Sequence, residues 1–508
     1  MSIPHLRLRR LNDAPVRTDG DHVLYWMVAS RRLSWNFGLD RALEHARRLE
    51  RPLLVLEPLN VGYRWASDRH HLAIVDGMAE HARRLQGTGV AYHPYIEPEP
   101  GAGDGLLKAA ARNACVVVTD DSPVFFTPAL LRAAGRLEGC AVEAVDSCGL
   151  LPLRAADRTF TAAYHFRRFL HRELPAHLGD MPDPDPLSDL ALPSGEVPAD
   201  VAGRWPAAPP ALLGLDAAPG ADGPEGGLPP QERMAEHLAG FPIDHSVGPT
   251  GWRGGHAAAR ARLDTFLASG LDRYAEERND PDSGAASGLS GWLHYGHLSV
   301  HEIFHAVVRR EGWSPARISP PHDGRRSGWW GMSAGAESFI DELVTWREVG
   351  YGFCAHHPGY DRWESLPDWA IQTMEEHASD PREYVYTLDE FDRAATHDEL
   401  WNAAQRQLVG EGVIHNYLRM LWGKKILEWT EHPRDALDVM VELNNRYAID
   451  GRDPNSYTGI MWVLGRFDRG WPERAVYGKI RSMSSDSTRR KVELEGYMAR
   501  WGTQGRLL

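Results

Sequence analysis

The chain has 508 residues, of which 43% are hydrophobic and 25% charged, and it carries a net charge of −14 at neutral pH. That length exceeds what one core usually organises, so two domains are expected, and the composition is ordinary for a globular protein. No run approaches the ~20 apolar residues that a membrane-spanning helix needs, and MSIPHLRLRRLND has no apolar core of a signal peptide, so a cytoplasmic location is expected.

Residues 23–150 alternate strand and helix signals. HVLYWMV, PLLVLEPL, GVAYHPYI, CVVVTD and CAVEAVD are short apolar runs. Between them FGLDRALEHARRL, HHLAIVDGMAEHARRL, LLKAAARNA and ALLRAAGRLEG carry apolar residues at helical spacing. Buried strands alternating with amphipathic helices imply βαβ units, so 1–150 reads as a doubly wound, Rossmann-like parallel-sheet domain. No GxGxxG follows the first strand, so a ligand here would sit at the carboxyl ends of the strands. Residues 151–240 read as an interdomain linker. PDPDP, PAAPPA and APGADGPEGG are rich in Pro, Gly and Ala without periodicity. Residues 241–508 read as an all-α domain, with AAARARLDTFLASGLDRYAEER, SVHEIFHAVVRR, AESFIDELVTWREVG, DELWNAAQRQLV, HNYLRMLWGKKILEWT and PRDALDVMVELNNRYA as helices.

Several short patterns carry chemistry. HEIFH at 301–305 matches the zinc-protease spacing. Ser299 three residues before Glu302 gives it a plainer reading, a capping box at a helix start, and no metal is expected. The four cysteines, Cys115, Cys140, Cys148 and Cys354, form no CxxC pair and read as reduced thiols. GPTGWRGG and ASGLSGW are small-residue loops before helices, and the amides of the second, with Ser287 and Ser290, suit a pyrophosphate. Between Arg466 and Lys491 eight basic residues face three acidic ones, a local basic segment in an acidic chain. Trp422 and Trp429, two helical turns apart, lie on one helix face, with Trp401 in the preceding helix.

The segments DELVTWRE (341–348), YDRWESLPDWA (360–370), THDELWNAAQ (396–405), HNYLRMLWGKKILEW (415–429), LNNRYAIDGRDPNSYTGIMW (443–462) and RGWPERAVYGKIR (469–481) together resemble the class II cyclobutane pyrimidine dimer photolyases of the photolyase/cryptochrome family. GGHAAARARLDTFL and YAEERNDP extend the resemblance upstream, and TDDSP and VDSCGLLP fit the family's α/β domain more loosely. The resemblance implies a monomer with FAD buried in the helical domain and a DNA substrate containing cyclobutane dimers. An antenna chromophore of deazaflavin or folate type would belong to the α/β domain. By resemblance, Tyr274 and the loop Ala286, Ser287, Gly288, Leu289 and Ser290 hold the cofactor's phosphates and ribose. Arg419 and Asp450 pair beside its ring, and Asn444 sits near the ring nitrogen N5. Trp401, Trp422 and Trp429 form the electron path from solvent. Glu342 shares a proton with the dimer, and its carboxyl, in an apolar Trp-lined site, is expected to titrate above the usual range. Trp346 and Trp462 stack on the two extruded pyrimidines with Met420 beside them. Arg278 fills the hole they leave, partnered with Asp468; VLGRFDRGW is one residue shorter there than the family pattern. A cryptochrome-like photoreceptor without repair shares the fold. The retained lesion-binding residues and the lack of a long tail after Leu508 favour repair. A (6-4) photoproduct enzyme would want a histidine beside the lesion, and none occupies the matched positions.

Overall fold

Valine- and leucine-rich runs bury both faces only when helices cover both sides, and that is what the first segments do. The computed structural model describes residues 3–215 and 231–503. A six-stranded sheet contains β1 (Leu8–Arg10), β2 (His22–Trp26), β3 (Leu53–Leu59), β4 (Ala91–Ile96), β5 (Ala114–Asp120) and β6 (Ala141–Val145), in the order β1-β6-β5-β2-β3-β4. β2 to β6 run parallel, connected through α1 (Phe37–Leu49), α2 (Asp68–Leu85), α3 (Leu106–Ala111) and α4 (Thr127–Ala134). The sheet is not wholly parallel: β1 adds an antiparallel edge, Leu8 opposite Val145. Its three residues, two of them exposed arginines, are too short and polar to signal a strand.

The strand order reverses between β2 and β5, the place where doubly wound sheets open a crevice. Asp120, last residue of β5, sits there. Its Oδ2 accepts the backbone N–H groups of Val28, Ala29 and Ser30 at 2.9, 2.8 and 2.9 Å, and its Oδ1 accepts the Tyr25 hydroxyl at 2.7 Å. The Asn36 side chain caps α1 by accepting from Gly38 and Leu39.

The chain divides into two compact units that are discontinuous in sequence. One holds Met1–Ala155, Ala176–Ala261 and Leu289–Ala306; the other holds Ala156–Pro175, Arg262–Gly288 and Val307–Leu508. The boundaries read from the sequence, 1–150, 151–240 and 241–508, follow composition, whereas these units follow packing, so the two divisions differ. The segment read as linker also contains helices: α5 (Ala163–Glu173), α6 (Ala199–Arg204) and α7 (Gln231–Leu238). α5 is amphipathic and buries Phe166 and Leu170. APGADGPEGG and the LPP after it lie outside the described residues.

The second unit is helical. The single helix expected over 257–278 is broken: α8 (His256–Ser269) stops before Gly270, a 3₁₀ turn Leu271–Arg273 follows, and α9 (Tyr274–Glu277) restarts the path. Then come α10 (Ser290–His294), α11 (Val300–Glu311), α12 (Ala334–Ile340), a π-helical segment Asp341–Trp346, α13 (Arg347–His356), α14 (Asp368–Glu376), α15 (Leu388–Asp392), α16 (Glu399–Glu411), α17 (Asn416–Trp429), α18 (Pro433–Tyr447), α19 (Pro454–Val463), α20 (Ser485–Arg489) and α21 (Glu495–Trp501). The start of α8, through Ala261, all of α10 and the start of α11, through Ala306, belong to the first unit. Among the described residues no helix is long and apolar enough to cross a membrane.

Candidate active site

The π-helical segment is the local feature from which the site is built. Ser333 starts α12 by accepting from the Ala336 N–H at 3.3 Å, and Asp341 opens the wider coil. Arg167, almost wholly buried, holds Asp341 through two parallel bonds of 2.8 and 2.9 Å. One extra residue per turn changes the directions of the side chains that follow, and such bulges concentrate at functional sites. Here they carry Glu342 and Trp346.

Glu342 forms an ion pair with Arg278, whose guanidinium lies 5.6 Å from the Tyr274 ring centroid. Tyr274 is wedged edge-on against Phe266 and Phe339 at 5.7 and 5.4 Å. Burial pushes the Glu342 carboxyl above its ordinary range, and the pull of Arg278 does not cancel that push. Burial also raises the Tyr274 phenol to about 12. The expected Arg278–Asp468 pair is therefore replaced. Arg278 follows directly on α9, which packs on α12, so Glu342 is in its reach. Asp468 is turned into its own loop after the left-handed backbone of Phe467 (φ 63°) and accepts the Arg469 N–H at 2.8 Å.

The three tryptophans meet, with Trp401 in the middle. Asp398 caps α16 by accepting from the N–H groups of Leu400 and Trp401, which fixes where the Trp401 side chain leaves the helix. Trp401 and Trp422 lie nearly parallel, 6.5 Å apart at 4°. Trp401 and Trp429 meet at 6.1 Å and 67°. The Trp401 indole N–H donates to the Trp422 carbonyl at 3.0 Å, and that of Trp422 to Gln405 at 2.9 Å. All three rings are buried. Tyr386 and His397 stand against Trp429 at ring distances of 5.8 and 4.9 Å, contacts the sequence reading missed.

Other expected residues fall into smaller groups. Arg419 donates to Asp450 at 3.1 Å, and both are partly buried. The buried Asn444 amide donates to Ser456 and to Asn445. Arg262, not anticipated from sequence, donates to the carbonyls of Ala286 and Ser287 at 2.7 Å each. Gly288 continues that loop at φ 66°, a backbone conformation that favours glycine, and a Cβ there would lie a tight 3.0 Å from the Arg262 Nε. Leu289 and Ser290 belong to the first unit, where Ser290 opens α10. Trp346, Met420 and Trp462 are half-buried. Trp346 precedes α13 and Trp462 lies on α19, and these two helices pack together.

HEIFH is not built as a metal centre. The Glu302 carboxylate receives His256 at 2.9 Å and Arg260 at 3.3 Å, and the Ser299 hydroxyl accepts the His301 N–H at 3.2 Å, where the capping box would have it take that of Glu302. The Arg260 guanidinium and the His256 ring nitrogen take that carboxylate in place of a backbone N–H. Among the described residues no group of three or more His, Cys, Asp or Glu could hold a metal ion.

The chain is 32% identical over 496 residues to a deoxyribodipyrimidine photo-lyase of Methanothermobacter thermautotrophicus, covering 97% of each chain. It belongs to the deoxyribodipyrimidine photolyase family. It is thus an enzyme, a lyase by family. Proteins of the same name from Oryza sativa and Potorous tridactylus are 31% and 29% identical, over 94% and 95% of this chain and 87% and 81% of theirs. Among solved structures, a class III photolyase from Agrobacterium tumefaciens has a TM-score of 0.65 at 19% identity, covering 95% of this chain and 86% of the other. A Synechocystis cryptochrome has the same TM-score at 16% identity, over 96% and 89%. These two likenesses establish the shared fold, an α/β unit and a helical unit. No protein-family model matches the chain.

The photolyase and cryptochrome family generally binds FAD. The donor set here fits a flavin. Asn444 is a buried neutral amide, Arg419 and Asp450 are a pair that cancels its own charge, and the Ala286 and Ser287 carbonyls are already satisfied by Arg262.

Proposed function

We propose that the chain repairs cyclobutane pyrimidine dimers in DNA by light-driven electron transfer, as a class II photolyase with FAD. The observation that carries this reading is the Glu342 carboxyl, held above its ordinary range on a π-helical segment, with the half-buried Trp346 on the same segment.

When bound, FAD supplies the electron that splits the dimer and takes it back afterwards. The residues of the chain do the rest. Tyr274 and the loop Ala286–Ser290 bind its phosphates and ribose. Arg419 and Asp450 flank its ring, and the Asn444 amide faces N5. Arg419 and Asp450 are partly buried and occur as an ion pair, so neither charge is left unmatched where water is scarce. Trp346 and Trp462 take the two extruded pyrimidines by stacking, worth roughly 1–3 kcal/mol per base, with Met420 beside them. Glu342 in its neutral form donates a hydrogen bond to the dimer carbonyl as negative charge builds there. Arg278 and Asp468 line the space the extruded bases leave, now without pairing to each other. Trp401, Trp422 and Trp429 carry electrons inward to reduce the cofactor. The relatives' names support action on damaged DNA.

The test is an oligothymidylate carrying cyclobutane dimers, mixed with the reduced protein. Recovery of thymine absorbance under blue light and not in the dark is the expected result. Yellow protein without recovery would replace repair by photoreception, and colourless protein would remove the flavin.

A further inference from the structure

One lysine of the helical unit is buried although the repair chemistry makes no use of it. Lys424, on α17, is 3% exposed, and among the described residues its amine pairs with no carboxylate, whereas the neighbouring Lys425 reaches Glu428 at 2.6 Å. The Lys424 Nζ donates instead to the backbone carbonyl of Val463, the last residue of α19. Burial brings the amine down to about 7, with Asp468 pulling it up and Arg481 pushing it further down. Charged or neutral, it has an N–H to donate. The two helices come close enough for this contact because Gly423 has no side chain. A Cβ there would lie 2.8 Å from Val463 Cγ2 and 3.1 Å from Met440 Sδ.

A helix leaves its last carbonyls without partners inside the helix. At the end of α19 the chain itself meets two of them. The Gly465 N–H donates to the Trp462 carbonyl at 3.1 Å and the Arg466 N–H to the Met461 carbonyl at 2.9 Å, with Gly465 in left-handed conformation at φ 105°. That is a Schellman ending. It leaves over the carbonyl of Val463, which is the one Lys424 takes. An amine at a helix C-terminus also complements the helix dipole when it is charged. Water could serve an exposed helix end, but Val463 and Leu464 are both buried. The residue before the capped carbonyl is the half-buried Trp462. The amine therefore fixes the stretch of backbone from which that indole projects.

We propose that Lys424 is a positioning residue for lesion recognition: by holding the Val463 carbonyl it sets the angle at which the Trp462 ring meets an extruded pyrimidine. This rests on the reading of Trp462 as a stacking ring. Lys424 acts only through Val463 and Trp462, and no proton or electron passes through it. Its contribution is to binding. Stacking is a contact between two flat faces, so a helix end free to shift tilts the ring off the base it covers. Glu342 stands on a different element, the π-helical segment, and keeps its place for the splitting step.

The experiment uses the FAD-loaded protein and an oligothymidylate with or without a cyclobutane dimer. Affinity is measured in the dark, and the splitting rate in blue light at saturating substrate. Lys424→Met keeps the length of the side chain and loses the donor. It should retain the flavin absorbance and the saturated splitting rate, bind the undamaged strand as wild type does, and lose roughly tenfold in affinity for the dimer. Trp462→Ala should lose dimer affinity as well, and adding Lys424→Met to it should cost no more, since both act through one contact. Unchanged dimer affinity in Lys424→Met would overturn the proposal. So would equal losses for damaged and undamaged strands, or losses that add in the double variant, because a merely structural lysine gives those. If Lys424→Met takes up no flavin, Lys424→Gln, whose amide is one atom shorter in reach, is put through the same comparisons with the same outcomes. Trp462→Ala separates the two levels. Unchanged dimer affinity there overturns the stacking reading and the role of Lys424 with it, whereas a loss there with none in Lys424→Met overturns the positioning alone.

Discussion

Glu342 is pulled two ways, upward by burial and downward by Arg278, and burial prevails. Its neutral form is the hydrogen-bond donor, so dimer splitting should fall as pH rises through its raised value. Arg278→Gln removes the downward pull and should shift that fall to higher pH, as read from the pH–rate profile of splitting. Glu342→Gln keeps a donor but not an acid. It should slow splitting by roughly tenfold or more at neutral pH without releasing flavin, and unchanged splitting would remove Glu342 from the mechanism. Asp40 offers a stability counterpart far from this chemistry. It sits in the first turn of α1, accepts the Asp183 N–H at 2.9 Å through one oxygen, and its other oxygen has no hydrogen-bond partner among the described residues. Burial lifts its carboxyl to about 7. Unfolded, the group ionises near the ordinary carboxylate value, so the folded state holds a proton that the unfolded state has lost. Stability is therefore present at low pH, falls as pH rises from about 4 to about 7, and then levels. Asp40→Asn should flatten that fall and add on the order of 2 kcal/mol above neutrality, measured by denaturant unfolding at pH 5 and 8. A variant no more stable at pH 8 would count against the raised value.

At the scale of elements, the π-helical segment Asp341–Trp346 decides where Glu342 and Trp346 point. Deleting Leu343 should restore α-helical register and turn the following side chains by about 100°. The expected outcome is intact helical circular dichroism with dimer splitting lost; retained splitting would show that the wider coil is dispensable. Helices and strands of the α/β unit were legible because their hydrophobic periods are long and regular. FGLDRALEHARRL was bounded correctly as α1, from the Asn36 cap to Glu50 in left-handed conformation. The π-helical segment was not legible, because an extra residue in one turn leaves no mark in residue composition, whereas the break between α8 and α9 falls at Gly270, a stop signal inside the expected helix. Trp422 and Trp429 were readable as one face of α17, but the place of Trp401 between them depends on how α16 packs on α17.

At the scale of the whole molecule, each unit is assembled from three stretches of chain. Composition cannot show this, since a boundary set by packing leaves no Pro/Gly signal where the chain crosses it. Charge is likewise uneven. The chain is −14 overall, yet the segment from Arg466 to Lys491 is basic. Within it Trp471 is partly exposed, with the guanidinium groups of Arg469 and Arg481 5.8 and 5.1 Å from its ring. If these cations meet DNA phosphates, affinity should fall steeply with salt. Arg469→Gln with Arg481→Gln should reduce the slope of log affinity against log salt by about 0.9 for each phosphate no longer neutralised. A slope equal to that of wild type would place the DNA elsewhere.

The sequence by itself determined the alternation of strands and helices, the helical character of the second unit, and the long family-like segments that carry Glu342, Asn444 and the tryptophans. Those follow from local period and residue type, which a linear reading contains. Only the tertiary structure decided that Arg278 meets Glu342 instead of Asp468, that Arg262 holds the carbonyls of the small-residue loop, that Glu302 is taken by His256 and Arg260, and that His397 stands against Tyr386. Each is a competition among several charged or polar partners within reach of one group. The winner is set by distance and burial, which depend on how separate helices pack.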